Sequence, residues 1–83
     1  MKVTVRKRFI KDAALLKSAH LFDELIYLLE VAFRAEKAAD IPGFKVLKGY
    51  KNYGRIRLNQ YRIGVVIQSN SIIFVCILSR KFP

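Results

Sequence analysis

The sequence predicts an α+β domain in which a strand and two helices precede a sheet of three or four antiparallel strands. The first forty residues change from a hydrophobic period of two to a helical period, and the remainder consists of β-branched segments separated by short polar turns. The chain has 83 residues, 53% of them hydrophobic, which suits one small globular domain. We therefore expect residues 1–83 to form a single domain.

The N-terminal half contains the predicted first strand and both helices. Val3 and Val5 alternate with polar residues, as in a half-buried strand. From Phe9 onward apolar residues recur at helical spacing, pause at residues 18–20, and resume over residues 21–33. The Ile-Pro-Gly run at residues 41–43 is expected to stop the second helix, because the residue before proline disfavours helical geometry.

The C-terminal half contains the predicted strands at residues 45–47, 55–58, 61–68 and 72–79. A two-residue hairpin loop at residues 59–60 would place the apolar side chains of the flanking strands on one side, beneath the helices. Arg55, Arg57 and Arg62 would then lie together on the other side, with Arg57 directly opposite Arg62 and Gly64 opposite Arg55. The glycine would leave room for a ligand backbone.

Charge is distributed unevenly along the chain, whose formal net charge is +10. Residues 1–40 hold eight basic and six acidic side chains, whereas residues 41–83 hold eight basic side chains and no carboxylate side chain. This excess predicts an anionic partner and excludes a carboxylate acid–base pair built within the second half. Opposed arginines repel each other, and guanidinium groups bind phosphate bidentately, so the hairpin predicts an anion site. The alternative is a solvated outer face.

The remaining reactive residue types give weaker signals. Tyr50 and Tyr53 flank Lys51, a pattern that suits stacking on unpaired bases or packing over the sheet edge. His20 lies at the predicted helix break as a surface or capping residue, and Cys76 is expected to be an inert core thiol. With no second cysteine, no signal peptide and no apolar run long enough to cross a bilayer, we expect a cytoplasmic protein without membrane, metal or cofactor.

Residues 47–64 resemble the RelE/ParE superfamily of type II toxins, and in particular its RelE-like branch. The most specific part is Tyr-Arg-Ile-Gly at residues 61–64, which follows a strand of alternating basic and apolar residues. The resemblance implies the same order of elements and a metal-independent endoribonuclease. Such a toxin cleaves mRNA on the ribosome by attack of the 2′-hydroxyl, and a cognate antitoxin silences it.

Residue by residue, the resemblance implies catalytic roles for Arg55, Arg57, Arg62 and Arg80. The further basic and aromatic residues expected to bind RNA are Lys45, Lys48, Tyr50, Lys51, Tyr53 and Lys81.

The sequence departs from the family pattern after Arg80, where it lacks the Tyr or His that assists proton transfer in many members. Arginine stays protonated and is a poor general base, so we expect charge stabilisation with weakened acid–base help. The alternatives are a ParE-like toxin that inhibits DNA gyrase and a non-catalytic RNA-binding remnant of the family.

Overall fold

The computed structural model describes residues 1–79 of the chain. Its elements are, in order, β1 (Lys2–Val5), α1 (Lys7–Ala14), α2 (Ala19–Arg34), a 3₁₀ turn (Ala38–Asp40), β2 (Phe44–Val46), β3 (Tyr53–Leu58), β4 (Tyr61–Gln68) and β5 (Ser71–Ser79). The predicted α+β class is confirmed. Within residues 1–79, no helix combines the length and apolar character that crossing a membrane requires.

The five strands form one mixed sheet in the order β1-β5-β4-β3-β2. Strands β2 to β5 pair antiparallel with their neighbours, as expected, whereas β1 lies parallel to β5 at one edge. The two helices between β1 and β2 carry the chain from one edge of the sheet to the other. They cover one face only, so the opposite face, which we call the open face, has no helix against it in the described chain.

The hydrophobic core lies between the helices and the sheet. Its largest fully buried side chains come from three strands, from α2 and from the turn before β2; they are Phe74, Leu25, Ile41, Ile56, Ile63, Ile72 and Val65. Phe9 of α1 meets Phe74 edge to face, with ring centroids 5.4 Å apart. Burial of this apolar surface is the main force that holds the helices on the sheet.

The helix boundaries differ from the sequence prediction at two places. Ser18 is the N-cap of α2, and its hydroxyl accepts a hydrogen bond from the Leu21 amide, so His20 lies in the first turn of the helix and not at a break. α2 ends at Arg34, well before residues 41–43. The chain leaves the helix there because the following turn buries Ala38 and Ile41 beneath the sheet, which a continued helix would not do.

A bulge in β5 overturns the prediction for Cys76. Gly64 pairs with Cys76, but the next residue of β4, Val65, pairs with Phe74, so Val75 is an extra residue. The extra residue moves each later side chain of β5 to the face of the sheet opposite the one that strict alternation predicts. Ile77 therefore enters the core, and Cys76 lies half-buried beside Gly64 on the open face. Periodicity alone could not place this thiol, because a bulge shifts every later side chain to the opposite face.

Just beyond the bulge, β5 is tied to α1 by a partly buried hydrogen bond. The amide of Ile77 donates to Oδ2 of Asp12 over 2.9 Å, and the same oxygen lies 3.7 Å from Nε of Arg8. The pairing of β1 with β5 ends at Phe74, so the half-buried carboxylate of Asp12 supplies an acceptor to an amide beyond the end of β1.

We expect Asp12→Ala to lower the free energy of unfolding by about 1–3 kcal/mol, because the Ile77 amide would lose its acceptor. Urea denaturation, monitored by circular dichroism, measures this change in the free energy of unfolding. Asp23→Ala removes an exposed carboxylate of α2 and is the matched control, which should change stability by less than about 0.5 kcal/mol. Equal losses in the two variants would contradict the assigned role of Asp12.

Candidate functional site

The β3–β4 hairpin has the register predicted from its two-residue loop. Arg57 pairs with Arg62, Ile56 with Ile63 and Arg55 with Gly64. Asn59 opens the loop with φ 55°, a left-handed conformation that asparagine tolerates better than most residues. The hairpin thus fixes three arginines on the open face.

The apolar partners of the hairpin anchor it in the core. Ile56 and Ile63 are fully buried on the helix side, and Leu58 and Tyr61 pack against the same core. Arg57 and Arg62 are exposed, whereas Arg55 is half-buried between β2 and β4. The backbone of the site is therefore rigid where its charged side chains attach.

Lys45 extends the cationic group onto β2, where it pairs with Arg55. A shallow depression of about 220 Å³ lies against Lys45, Arg55 and Arg57, together with Gly43 and Phe44. Within residues 1–79, Lys45, Arg55 and Arg62 form no ion pair with a carboxylate. Guanidinium and ammonium groups gathered around one depression favour binding of an anion such as phosphate.

The loop between β2 and β3 holds the remaining predicted RNA-binding residues that the structure describes. Lys48 and Lys51 are exposed on it. Tyr50, in the loop, and Tyr53, the first residue of β3, pack edge to face with ring centroids 6.3 Å apart, and both side chains remain largely exposed. The two rings therefore pack on each other and still present surface to solvent, and their stacking on unpaired bases stays a prediction.

The space predicted beside Gly64 is smaller than expected. A Cβ atom built on Gly64 would lie 3.0 Å from Sγ of Cys76, because the bulge brings that thiol to the open face. The absence of a side chain at Gly64 therefore accommodates the thiol of Cys76.

A second polar cluster, at the loop of the hairpin, was not predicted from the sequence. Oε1 of Glu24 lies 2.8 Å from Nε2 of His20, and Oε2 of Glu24 accepts a hydrogen bond from the side-chain amide of Asn59. The cluster ties α2 to the loop that separates Arg57 from Arg62. The spacing of four residues between His20 and Glu24 was visible in the sequence, but the contact with Asn59 depends on the tertiary fold.

Two predicted site residues, Arg80 and Lys81, lie outside the described residues. Within residues 1–79, the structure brings together no group of three His, Cys, Asp or Glu side chains that could hold a metal ion.

No family model matches the chain. Toxin RelE3 of Methanocaldococcus jannaschii is 35% identical over 82 residues, which cover 98% of this chain and 92% of the relative.

Among solved structures, the RelB–RelE antitoxin–toxin complex from Methanococcus jannaschii matches with a TM-score of 0.83 and 30% identity, covering 96% of this chain and 99% of the other. The archaeal RelE–RelB complex from Pyrococcus horikoshii OT3 has a TM-score of 0.80 at 15% identity, over 99% and 97% of the two chains. The isolated Escherichia coli RelE toxin has a TM-score of 0.68 at 17% identity, over 94% and 82%.

The two more distant likenesses concern the fold alone. The identity to RelE3 extends over nearly the full length of both proteins, and it agrees with the fold and with the sequence resemblance at residues 47–64. The chain belongs to the RelE toxin family.

Proposed function

We propose that this protein is the toxin of a type II toxin–antitoxin system and cleaves mRNA on translating ribosomes, in the cytoplasm. The observation that carries the proposal is the open-face pairing of Arg57 with Arg62, beside a depression that Arg55 and Lys45 also line. Like charges directly opposed across two strands destabilise a sheet, and an anion between or beside them offsets that cost.

The proposed reaction is cleavage by the RNA's own 2′-hydroxyl. Its oxygen forms a bond to the adjacent phosphorus, the bond from phosphorus to the 5′-oxygen breaks, and the 2′-proton passes to solvent or base while the 5′-oxygen gains a proton. Charge accumulates on the phosphoryl oxygens in the transition state. Fixed guanidinium groups stabilise that charge without reorganising, so Arg55, Arg57 and Arg62 suffice for this part of the chemistry without a metal.

Arg80, which follows β5 in the sequence, completes the proposed catalytic set. Lys45, Lys48, Lys51 and Lys81 are proposed to hold the RNA backbone, and Tyr50 and Tyr53 to stack on its bases. The proposed partner in the cell is an antitoxin, in keeping with the antitoxin–toxin complexes formed by two of the structural relatives.

Inducing the chain alone in growing cells and mapping mRNA 5′ ends tests the function. We expect growth arrest, with new ends inside translated reading frames that disappear when initiation is blocked, because the ribosome presents the RNA. A catalytically silent control carries Arg57→Ala and Arg62→Ala together. Growth arrest without new mRNA ends, accompanied by inhibited DNA supercoiling, would favour the gyrase-inhibiting alternative instead.

A further inference from the structure

A second depression, which we call the edge pocket, lies next to the arginine site, between α2 and the end of β3. Its volume is about 250 Å³. Leu28 and Val31 line it from α2, and Pro42 and Leu58 line it from the sheet. The pairing of β2 with β3 ends at Ile56, so the edge pocket lies at the margin of the sheet, just beyond the last pair of these two strands.

The edge pocket and the arginine site share Arg57. This residue also lines the cationic depression at Lys45 and Arg55. Gly43, in the cationic depression, directly follows Pro42, in the edge pocket. The amide of Arg57 donates a hydrogen bond to the carbonyl of Gly43 over 3.2 Å, which fixes the boundary between the two. A nucleic acid whose phosphate lies in the cationic depression can therefore present a base to the edge pocket.

The acceptor group of the edge pocket is the carboxylate of Glu24, which two neighbours hold in one orientation. Oε1 lies 2.8 Å from Nε2 of His20, and Oε2 accepts a hydrogen bond from the side-chain amide of Asn59. The Glu24 side chain is 32% exposed. Each carboxylate oxygen can accept two hydrogen bonds, so both retain an acceptor site for a ligand. Because a carboxylate repels phosphate, the pocket suits a neutral group that donates hydrogen bonds.

The other walls of the edge pocket suit a flat apolar ring. Tyr27 lines the pocket and is 68% exposed, so its ring can stack on a ligand. The volume is below the range of about 300–1,000 Å³ that is usual for pockets enclosing drug-sized ligands. An aromatic ring, apolar walls and a fixed hydrogen-bonding group are the features that bind a single unpaired nucleobase.

We propose that the edge pocket binds a guanine base of the RNA, and that Glu24 accepts hydrogen bonds from its N1–H and 2-amino groups. Guanine presents these two donors side by side on its base-pairing edge, which matches the two oxygens of a carboxylate. Adenine and cytosine present one amino group beside a ring nitrogen that accepts, and uracil presents one N–H between two carbonyls. Each would place an acceptor against the carboxylate, which costs binding free energy.

The inference rests on the proposed RNA substrate and adds which base is selected and by which residue. Tyr27 stacks on the base, and His20 and Asn59 are positioning residues that orient Glu24. A basic side chain of a partner protein is a poorer occupant, because the chain has a formal charge of +10 and repels cationic segments while it attracts RNA.

Binding of short 2′-deoxy oligonucleotides to the full chain tests the pocket without any cleavage. Each consists of thymines and one variable base, which is guanine, adenine or hypoxanthine; hypoxanthine differs from guanine only by the missing 2-amino group. We expect the guanine oligonucleotide to bind at least about fivefold more tightly than the other two, measured by fluorescence anisotropy at one salt concentration. The backbone amide NMR signals of Val31 and Leu58 should shift when it binds.

Glu24→Gln tests the carboxylate with almost no change in side-chain size. It should reduce the preference for guanine to less than about twofold, because an amide offers one acceptor oxygen in place of two. Asp23→Asn removes an equal charge from an exposed position on the same helix and should keep the full preference. His20→Ala should lower the preference in part without removing it, whereas a residue that only stabilises the fold would leave the ratio of affinities unchanged.

Tyr27→Ala and Phe33→Ala test the stacking surface as a matched pair, because both side chains are 68% exposed on α2 and Tyr27 lines the edge pocket whereas Phe33 lines a different depression. Tyr27→Ala should weaken binding of all three oligonucleotides several-fold, since stacking tolerates every base. Phe33→Ala should leave all three affinities within about twofold of wild type.

Equal binding of the three oligonucleotides by the folded wild-type protein would overturn the guanine pocket and leave the cleavage function standing. A preference for guanine that survives Glu24→Gln would also overturn it. So would NMR signals of Val31 and Leu58 that shift with a purified antitoxin but with none of the oligonucleotides. A preference that disappears in Glu24→Gln, in a protein that cleaves no mRNA, would support the pocket and overturn the catalytic proposal alone.

Discussion

Replacing Arg62 by alanine should lower the single-turnover rate of mRNA cleavage on ribosomes by about 10²–10³-fold, the usual cost of losing one donor that stabilises transition-state charge. Arg62 is exposed on the open face, so the substitution removes no core contact. The fold and its thermal unfolding should therefore stay unchanged. Growth inhibition should fall in parallel with the cleavage rate.

Two further substitutions isolate the role of the guanidinium group. Arg34→Ala removes an equal charge from an exposed position on the helical side and should leave cleavage within about twofold of wild type. Arg62→Lys keeps the charge but loses the fork that binds two phosphoryl oxygens, so it should recover only part of the rate. Full toxicity in a folded, equally expressed Arg62→Ala protein would remove Arg62 from the site.

The arginine hairpin could be predicted from the sequence because its geometry is local. A two-residue loop fixes which residues face each other, and the alternation of apolar and basic residues fixes which side is buried. The pairs Arg57–Arg62 and Ile56–Ile63 follow from these two facts alone, and both are confirmed.

Features that depend on distant parts of the chain could not be predicted in this way. The parallel pairing of β1 with β5 joins the two ends of the described chain, and nothing in either strand specifies its neighbour. The bulge at Val75 is not marked in the sequence of β5, so the predicted position of Cys76 in the core was wrong. The contact of Glu24 with Asn59 likewise exists only once α2 lies against the hairpin.

The choice of which apolar residues of α2 stay exposed is a further consequence of the tertiary fold. The apolar stripe of α2 is wider than the core can cover, so Leu25 and Leu28 are buried while Phe22 and Phe33 are exposed. Sequence periodicity marks all four as apolar but does not reveal which the sheet will cover. The positions of the charged residues on the sheet could therefore be predicted from local alternation, whereas the exposure of apolar residues on the helices could not.

The chemistry proposed for the open face makes the most demanding prediction about the substrate. Replacing the 2′-hydroxyl of the nucleotide before the scissile phosphate by hydrogen should abolish cleavage of that bond, because the attacking oxygen is then absent. A 2′-deoxy substitution at the neighbouring nucleotide is the matched control and should leave the rate within about threefold, since a single contact at most is lost. Single-turnover assays on programmed ribosomes compare the two RNAs directly.

The ends of the products distinguish this mechanism from attack by water. In-line attack by the 2′-oxygen leaves a 2′,3′-cyclic phosphate, or the 3′-phosphate formed from it, on one fragment and a 5′-hydroxyl on the other. In the proposed mechanism the arginines neutralise phosphoryl charge in place of a divalent ion. A chelator of metal ions, added at a concentration that leaves the ribosome intact, should therefore not change the rate. Cleavage of the 2′-deoxy substrate, or products with a 3′-hydroxyl, would show that a water molecule is the nucleophile, and the open-face arginines would then have to bind the RNA for a different reaction.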